Sequence, residues 1–236
     1  MNDAGGTVRI ATWNIRGGVG LDGRFDIGRI VAELKRFAPD IVALQEVDSR
    51  RGAKGLEHPF VLLRDALGAH GVEAKSIIGA DGEYGQLLIS RWPLEFMRIH
   101  DISVPQREPR RAIEAEVCTP FGRLRVVATH LGLTFAERKN QTRALLDLAA
   151  PSDATTVMMG DFNDWIWRGS LQNRLNRLLP GRTWHRTFPS FFPMIRLDRI
   201  YCRPAAALVR SWVADDARTA SDHLPVFADI RPHGPC

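Results

Sequence analysis

Side chains able to do acid–base or metal chemistry recur just beyond short apolar runs. Asn14 follows residues 8–13, Glu46 follows 41–45, His130 follows 124–129, and Asp161 and Asn163 follow 155–160; Asp222 and His223 immediately precede 226–230. One polar residue at a strand end is ordinary, but this set at five such ends points to a site assembled from loops at one side of a layered sheet. Glu46 and Asp222 are hard oxygen ligands suited to Mg²⁺ or Mn²⁺. Two histidines beside carboxylates suit proton transfer or stabilisation of a phosphoryl oxygen. Together the set fits metal-assisted attack of water on phosphorus. Each residue also has a plainer reading: His130 as a buried structural histidine, Glu46 as a surface acid, and Asn14 and Asp222-His223 as turn formers.

Other catalytic plans find no support. The run Gly17-Gly18-Val19-Gly20 follows a strand, but no Lys-Ser/Thr comes after it and the GxGxxG spacing is absent, so it reads as a flexible turn. There is no GxSxG elbow, Ser221 beside Asp222-His223 is not a triad by adjacency, and no HExxH helix occurs.

The elements that must position these residues are legible as β-branched runs bounded by Gly, Pro, Asp or Asn. Strands are expected at 8–13, 41–45, 86–90, 112–118, 124–129, 155–160, 197–202, 208–213 and 226–230. Helical periodicity is clearest over 26–37, ended by Pro39, and a capping box at Thr134 and Glu137 opens a second helix whose later buried positions are Leu145, Leu146 and Ala149. A weaker third helix spans 58–67. Pro120-Phe121-Gly122 reads as a hairpin turn, so part of the pairing is antiparallel. Strands outnumber helices, which indicates a mixed α/β sandwich rather than a regular doubly wound sheet.

The 236 residues are 44% hydrophobic and no Pro/Ser/Gly linker divides them, so a single domain over 1–236 is expected. The net charge of +5 arises from 32 Lys+Arg against 27 Asp+Glu, a mixed surface with a basic excess that leans toward anionic substrates. Cys118, Cys202 and Cys236 are few, odd in number and far apart, which favours ordinary reduced thiols. The first residues lack a secretion-signal pattern and no apolar run approaches membrane-spanning length, so the expected location is cytoplasmic, with a peripheral membrane position as the variant.

Seven short motifs in chain order carry a resemblance: TWNIRGG (12–18), LQEV (44–47), YGQLLISRWPL (84–94), THLGL (129–133), GDFND (160–164), LDRIY (197–201) and SDHLPV (221–226). Together they resemble the endonuclease/exonuclease/phosphatase superfamily, which includes deoxyribonucleases, AP endonucleases, inositol-polyphosphate phosphatases and neutral sphingomyelinases. The resemblance implies a four-layer α/β sandwich, two packed mixed β-sheets flanked by helices, with the site at one edge between the sheets. It implies Glu46 as main metal ligand with Asn14 and Asp222 beside it, and Mg²⁺ or Mn²⁺ as the cofactor. Asp161 and Asn163 would position water and hold a phosphate oxygen. His223, oriented by Asp198, would stabilise charge on phosphorus, and His130 would face the phosphate and could protonate the leaving oxygen.

One departure stands out, since Arg16 occupies the place where AP endonucleases carry an acid; this puts a second metal position in doubt. The form of the first motif is more similar to small bacterial members and to the sphingomyelinase branch. Arg107, Arg110 and Arg111 are either a solvated loop or a polyanion grip, with Arg111 the substrate contact expected from it; Trp167 and Arg168 are expected beside it. The aromatic run 188–194 is ordinary core or an exposed loop able to touch acyl chains. The expected activity is Mg²⁺-dependent phosphodiester hydrolysis of the nuclease type by a monomer with no protein partner, acting on nucleic acid or, alternatively, a phospholipid headgroup. A non-catalytic scaffold is disfavoured because every site residue is present.

Overall fold

The computed structural model describes residues 6–51, 58–165 and 170–236. Strand β1 (Val8–Asn14) sets the plan: Val8 and Ile10 enter one apolar cluster, Ala11 and Trp13 another, as expected of a strand covered on both faces. Then follow α1 (Ile27–Phe37), β2 (Ile41–Asp48), α2 (Pro59–Leu67), β3 (His70–Gly79), β4 (Gly82–Ser90) and β5 (Leu94–Asp101). The second half runs β6 (Arg111–Thr119), β7 (Gly122–His130), α3 (Phe135–Leu148), β8 (Thr155–Asp161), α4 (Ser170–Leu178), β9 (Gly181–Arg182), β10 (Asp198–Arg203), β11 (Leu208–Val213) and β12 (Val226–Ile230).

Two six-stranded sheets form, in the orders β11-β12-β1-β2-β4-β3 and β5-β6-β7-β8-β10-β9. Both are mixed. In each, one parallel pair lies at the centre, β1 with β2 and β7 with β8, and the pairings flanking it are antiparallel. The inner faces meet in a core that joins Ile10, Ile41 and Leu88 of the first sheet to Ile113, Val126, Val157 and Ile200 of the second. On the outer face of the first sheet, Ile30 and Leu34 of α1 and Phe60 and Leu63 of α2 pack on Trp13, Leu44 and Leu87. On the outer face of the second, Leu145 and Leu148 of α3 cover Val127, Met158 and Tyr201. This is the expected four-layer sandwich.

The helix signals read from sequence have physical counterparts. Asp26 accepts a hydrogen bond from the Arg29 amide at the start of α1, and Ala38 ends that helix in the left-handed region just before Pro39. Thr134 and Glu137 make both bonds of the capping box. Residues 120 and 121 form the turn between β6 and β7, where Thr119 pairs with Gly122.

Strands β3, β5 and β9 and helix α4 were not expected, and one expectation is overturned. Cys118 and Cys236 are joined in a disulfide with their Cα atoms 5.4 Å apart, whereas Cys202 is free and buried. The carboxy-terminal tail folds back over the β6–β7 turn and brings together two thiols 118 residues apart, a proximity that spacing could not reveal. Among the described residues no helix is long and apolar enough to cross a membrane.

Candidate functional site

Topology brings the polar strand ends together. The parallel strands β1, β2, β7 and β8 direct Asn14, Glu46, His130 and Asp161 to one edge of the sandwich. Antiparallel β10 begins at that same edge, with Asp198 paired to Asp161. Antiparallel β12 is preceded there by Asp222 and His223. A cleft of about 590 Å³ opens between them, lined also by Tyr84, Glu108, Arg110, Asn163, Trp165 and Phe188.

Asp161 is the hub. Its Oδ2 accepts a hydrogen bond from Asn14 Nδ2 at 3.0 Å and lies 3.6 Å from His130 Nε2 and 3.9 Å from His223 Nε2. Its Oδ1 accepts the Asn163 amide at 2.9 Å. Burial first, and then the negative charge of Asp198, raises its pKa above the usual carboxylate range. Asn14 Nδ2 also donates to Glu46 Oε1 at 2.9 Å, so one amide ties the carboxylates of the two sheets together. Glu46 sits in a register shift of β2 against β4, with a φ of 58° that turns its side chain out of the ladder. Burial raises its pKa, opposed by the Asn14 bond.

The two histidines differ. His223 Nδ1 lies 2.8 Å from Asp198 Oδ2, and both groups are buried. Burial, the largest single influence, disfavours its charge, but Asp198 together with Asp161 and Asp222 outweighs this and pushes its pKa up to about 10. Its loop is strapped down: Trp13 Nε1 donates to the His223 carbonyl at 2.8 Å and Ser221 Oγ to the Asn14 carbonyl at 2.8 Å. His130 Nδ1 faces Arg110 Nη1 at 3.2 Å. Since a guanidinium can only donate, Nδ1 accepts and the proton sits on Nε2, directed at Asp161 and Glu46. Burial, then the Arg110 charge, holds its pKa well below the ordinary value, so it is neutral.

Of the metal-side residues expected from sequence, Glu46 and Asn14 line the cleft. Asp222 lies at its margin, 3.5 Å from Arg16 Nε, and its charge raises the pKa of Glu46. Asp161, Asp198 and His223 offer donor atoms within 4.8 Å of one another. The Asp198–His223 bond already uses the facing atoms of two of them, and Asp198 Oδ1 is buried with no partner. The carboxylate oxygens of Glu46 and Asp161 fit a hard divalent cation, whose charge would offset their burial, while Asn14 turns its Nδ2 to both and its Oδ1 accepts the Arg16 amide at 3.1 Å.

Arg111 is not part of this group. Its Nη1 is held by Asp101 Oδ1 at 2.5 Å and Ser103 Oγ at 2.9 Å, on the β5 side of β6. Its neighbour Arg110 enters the cleft instead, paired with Glu108 at 2.7 Å. Trp167 and Arg168 lie outside the described residues. Trp165 is 54% exposed at the cleft margin. Arg110 was read only as a member of the Arg107–Arg111 cluster and Tyr84 went unassigned; the tyrosine opens a quoted motif, and its pKa is raised by burial and by Glu46. Trp13 lies in the first quoted motif and Phe188, whose ring centroid lies 4.9 Å from that of His223, opens the aromatic run 188–194, but neither was assigned to the site.

Comparison with known proteins bears on the family and the fold. Residues 11–223 match the model of the Endonuclease/Exonuclease/phosphatase family. The uncharacterized protein YbhP of Escherichia coli K12 is 30% identical, covering 94% of this chain and 95% of its own. Among solved structures, a family protein from Leptotrichia buccalis superposes with a TM-score of 0.75 at 18% identity, covering 94% of this chain and 99% of that one. Zebrafish TDP2 complexed with single strand DNA product gives 0.67 at 20% identity, covering 97% and 99%.

Proposed function

The chain belongs to the endonuclease/exonuclease/phosphatase family, whose members are nucleases and phosphoesterases generally dependent on a divalent metal, and on that premise we propose that it hydrolyses phosphodiester bonds with Mg²⁺, or Mn²⁺ in its place. The observation that carries this reading is the position of Asp161, within 3.0 to 3.9 Å of Asn14, His130 and His223. Glu46, oriented by Asn14 and with Asp222 at the margin, would hold the cation, which when bound supplies charge to a phosphoryl oxygen and favours ionised carboxylates. Asp161 accepts a proton from the attacking water, aligned by Asn163. His223, charged and fixed by Asp198, meets the charge that gathers on phosphorus. His130 serves as a neutral Nε2–H donor to a phosphoryl oxygen rather than as a proton source, because Arg110 occupies its other nitrogen.

The monomeric, cytoplasmic protein expected from the sequence remains part of the proposal, with one condition. A cytosolic thiol pool would keep Cys118 and Cys236 open. Two substrate classes fit: a nucleic-acid strand, as in the TDP2 complex, and a phospholipid headgroup, favoured by Phe191 and Phe192, each 64% exposed. Hydrolysis of bis-(p-nitrophenyl) phosphate by the purified protein tests the reaction class. Turnover should require Mg²⁺ or Mn²⁺, stop in EDTA, and fall by about three orders of magnitude in Asp161→Asn. Turnover that survives EDTA and this substitution would sink the proposal.

A further inference from the structure

Between Asp164 and Asp198 the sequence carries six arginines and a histidine but no acidic residue, although acids are spread through the rest of the chain. The loop joining β9 to β10 lies in this stretch, and it is built stiffly. Phe188 and Ile195 pair as an antiparallel bridge, with the Ile195 and Met194 amides both donating to the Phe188 carbonyl at 2.9 Å. Ser190 is fully buried; its amide donates to the Asp222 carbonyl at 2.7 Å and its hydroxyl lies 2.7 Å from the carbonyls of Arg218 and Ser221. Above this base the tip presents Phe191, Phe192 and Met194, 64%, 64% and 57% exposed. Rigid backbone displaying large apolar side chains to water is a feature that folding alone does not require.

Below the tip the surface is cationic. Arg186 is exposed, and Arg182 and Arg196 flank the half-exposed Trp184, their guanidinium carbons 4.1 and 5.7 Å from its ring centre. An apolar tip over a ring of arginine and tryptophan matches the profile of a lipid bilayer, with acyl chains inside and anionic headgroups at the rim. A single-stranded nucleic acid would use the same arginines, but it needs open ring faces in a groove. Trp184 has Arg182 over its ring, and the tip projects Met194 beside the phenylalanines.

We propose that the loop at residues 188–195 is a membrane-docking wedge that seats the protein on anionic phospholipid bilayers. The base of the wedge is part of the cleft wall: Phe188 lies against His223, and Ile195 lines the cleft. Docking therefore brings the cleft to headgroup level, and the substrate class is a phosphoester presented at a lipid surface. That last step rests on the phosphoesterase reading; the docking does not.

Sedimentation with vesicles tests it in EDTA, where no turnover intervenes. The full chain should pellet with phosphatidylcholine vesicles containing phosphatidylglycerol and much less with phosphatidylcholine alone. Phe191→Ser/Phe192→Ser should lower the partition coefficient at least about tenfold, with soluble bis-(p-nitrophenyl) phosphate turnover unchanged. Phe192→Trp should retain binding and be quenched by brominated acyl chains, which reports insertion directly. Equal pelleting of the double variant overturns the proposal. So does tight oligonucleotide binding lost in that variant, or a dimer in light scattering that depends on the two phenylalanines. Absent vesicle binding with intact metal-dependent turnover removes the wedge and leaves the phosphoesterase; wedge-dependent binding without turnover under any metal does the reverse.

Discussion

Asp161 and His223 show how buried charge is arranged for work at a polyanion. A carboxylate taken out of water resists ionisation, and a buried imidazole resists protonation, yet placed beside one another and beside Asp198 they hold opposite charges. The folded-state pKa of His223, about 10, lies above the ordinary 6.5. The contribution of His223 to stability is therefore fully present below the ordinary value and is lost as pH rises through about 10. In Asp198→Asn the burial remains and the largest compensating charge is gone, leaving only Asp161 and Asp222 to oppose it, so His223 should titrate well below its parent value. Histidine NMR in metal-free protein reads this directly. The same substitution should reduce kcat by about two to four orders of magnitude and bring the alkaline limb of the pH–rate profile toward neutrality. An unshifted His223 titration would show that Asp198 does not set its charge. The sequence could not distinguish the two histidines, because what separates them is the partner on the second nitrogen: Asp198 for one, Arg110 for the other.

At the scale of elements, the site depends on strands ending where they do. Gly160, one residue before Asp161, has a φ of 150°, and a Cβ built there would lie 1.9 Å from the Thr129 carbonyl oxygen of β7. Only glycine allows β8 to lie this close to β7 at the point where His130 and Asp161 emerge side by side. Gly160→Ala should therefore separate the two strand ends. The expected cost is about 3 kcal/mol in chemical denaturation, with activity lost beyond what the loss of folded protein explains. A fully active, equally stable variant would show that the approach is incidental. The strands that escaped the sequence reading, β3, β5 and β9, all lie at sheet ends. Six of the eight residues of β5 are exposed, leaving no apolar run to recognise. The central strands, covered on both faces, were legible for the opposite reason. Of the arginine cluster, the member singled out was one position off: hairpin pairing of Ala112 with Thr129 points to Arg111 as the neighbour of His130, but Asp101 and Ser103 hold Arg111 on the β5 side.

At the scale of the whole molecule, chemistry and covalent closure lie at opposite edges. The cleft occupies the carboxy-terminal ends of β7 and β8, whereas the tail crosses their amino-terminal ends, where the His233 amide donates to Thr155 Oγ1 at 2.9 Å and Cys236 reaches Cys118 near the β6–β7 turn. The motifs could be read in order because the family's chemistry concentrates them at strand ends; the disulfide could not, because nothing local to either cysteine encodes the return of the tail. This separation predicts that stability and catalysis divide. Cys118→Ser/Cys236→Ser frees a loop of 118 residues in the unfolded chain, which on chain-entropy grounds should lower the unfolding free energy by about 2 to 5 kcal/mol. Because the tail is held at the edge opposite the cleft, kcat/KM at 25 °C should stay unchanged, and dithiothreitol should shift the denaturation midpoint of the parent chain but not of the variant. A parallel fall in kcat/KM would instead mean that strain passes along β7 and β8 from one edge to the other. In that case the redox state of the tail would regulate the site.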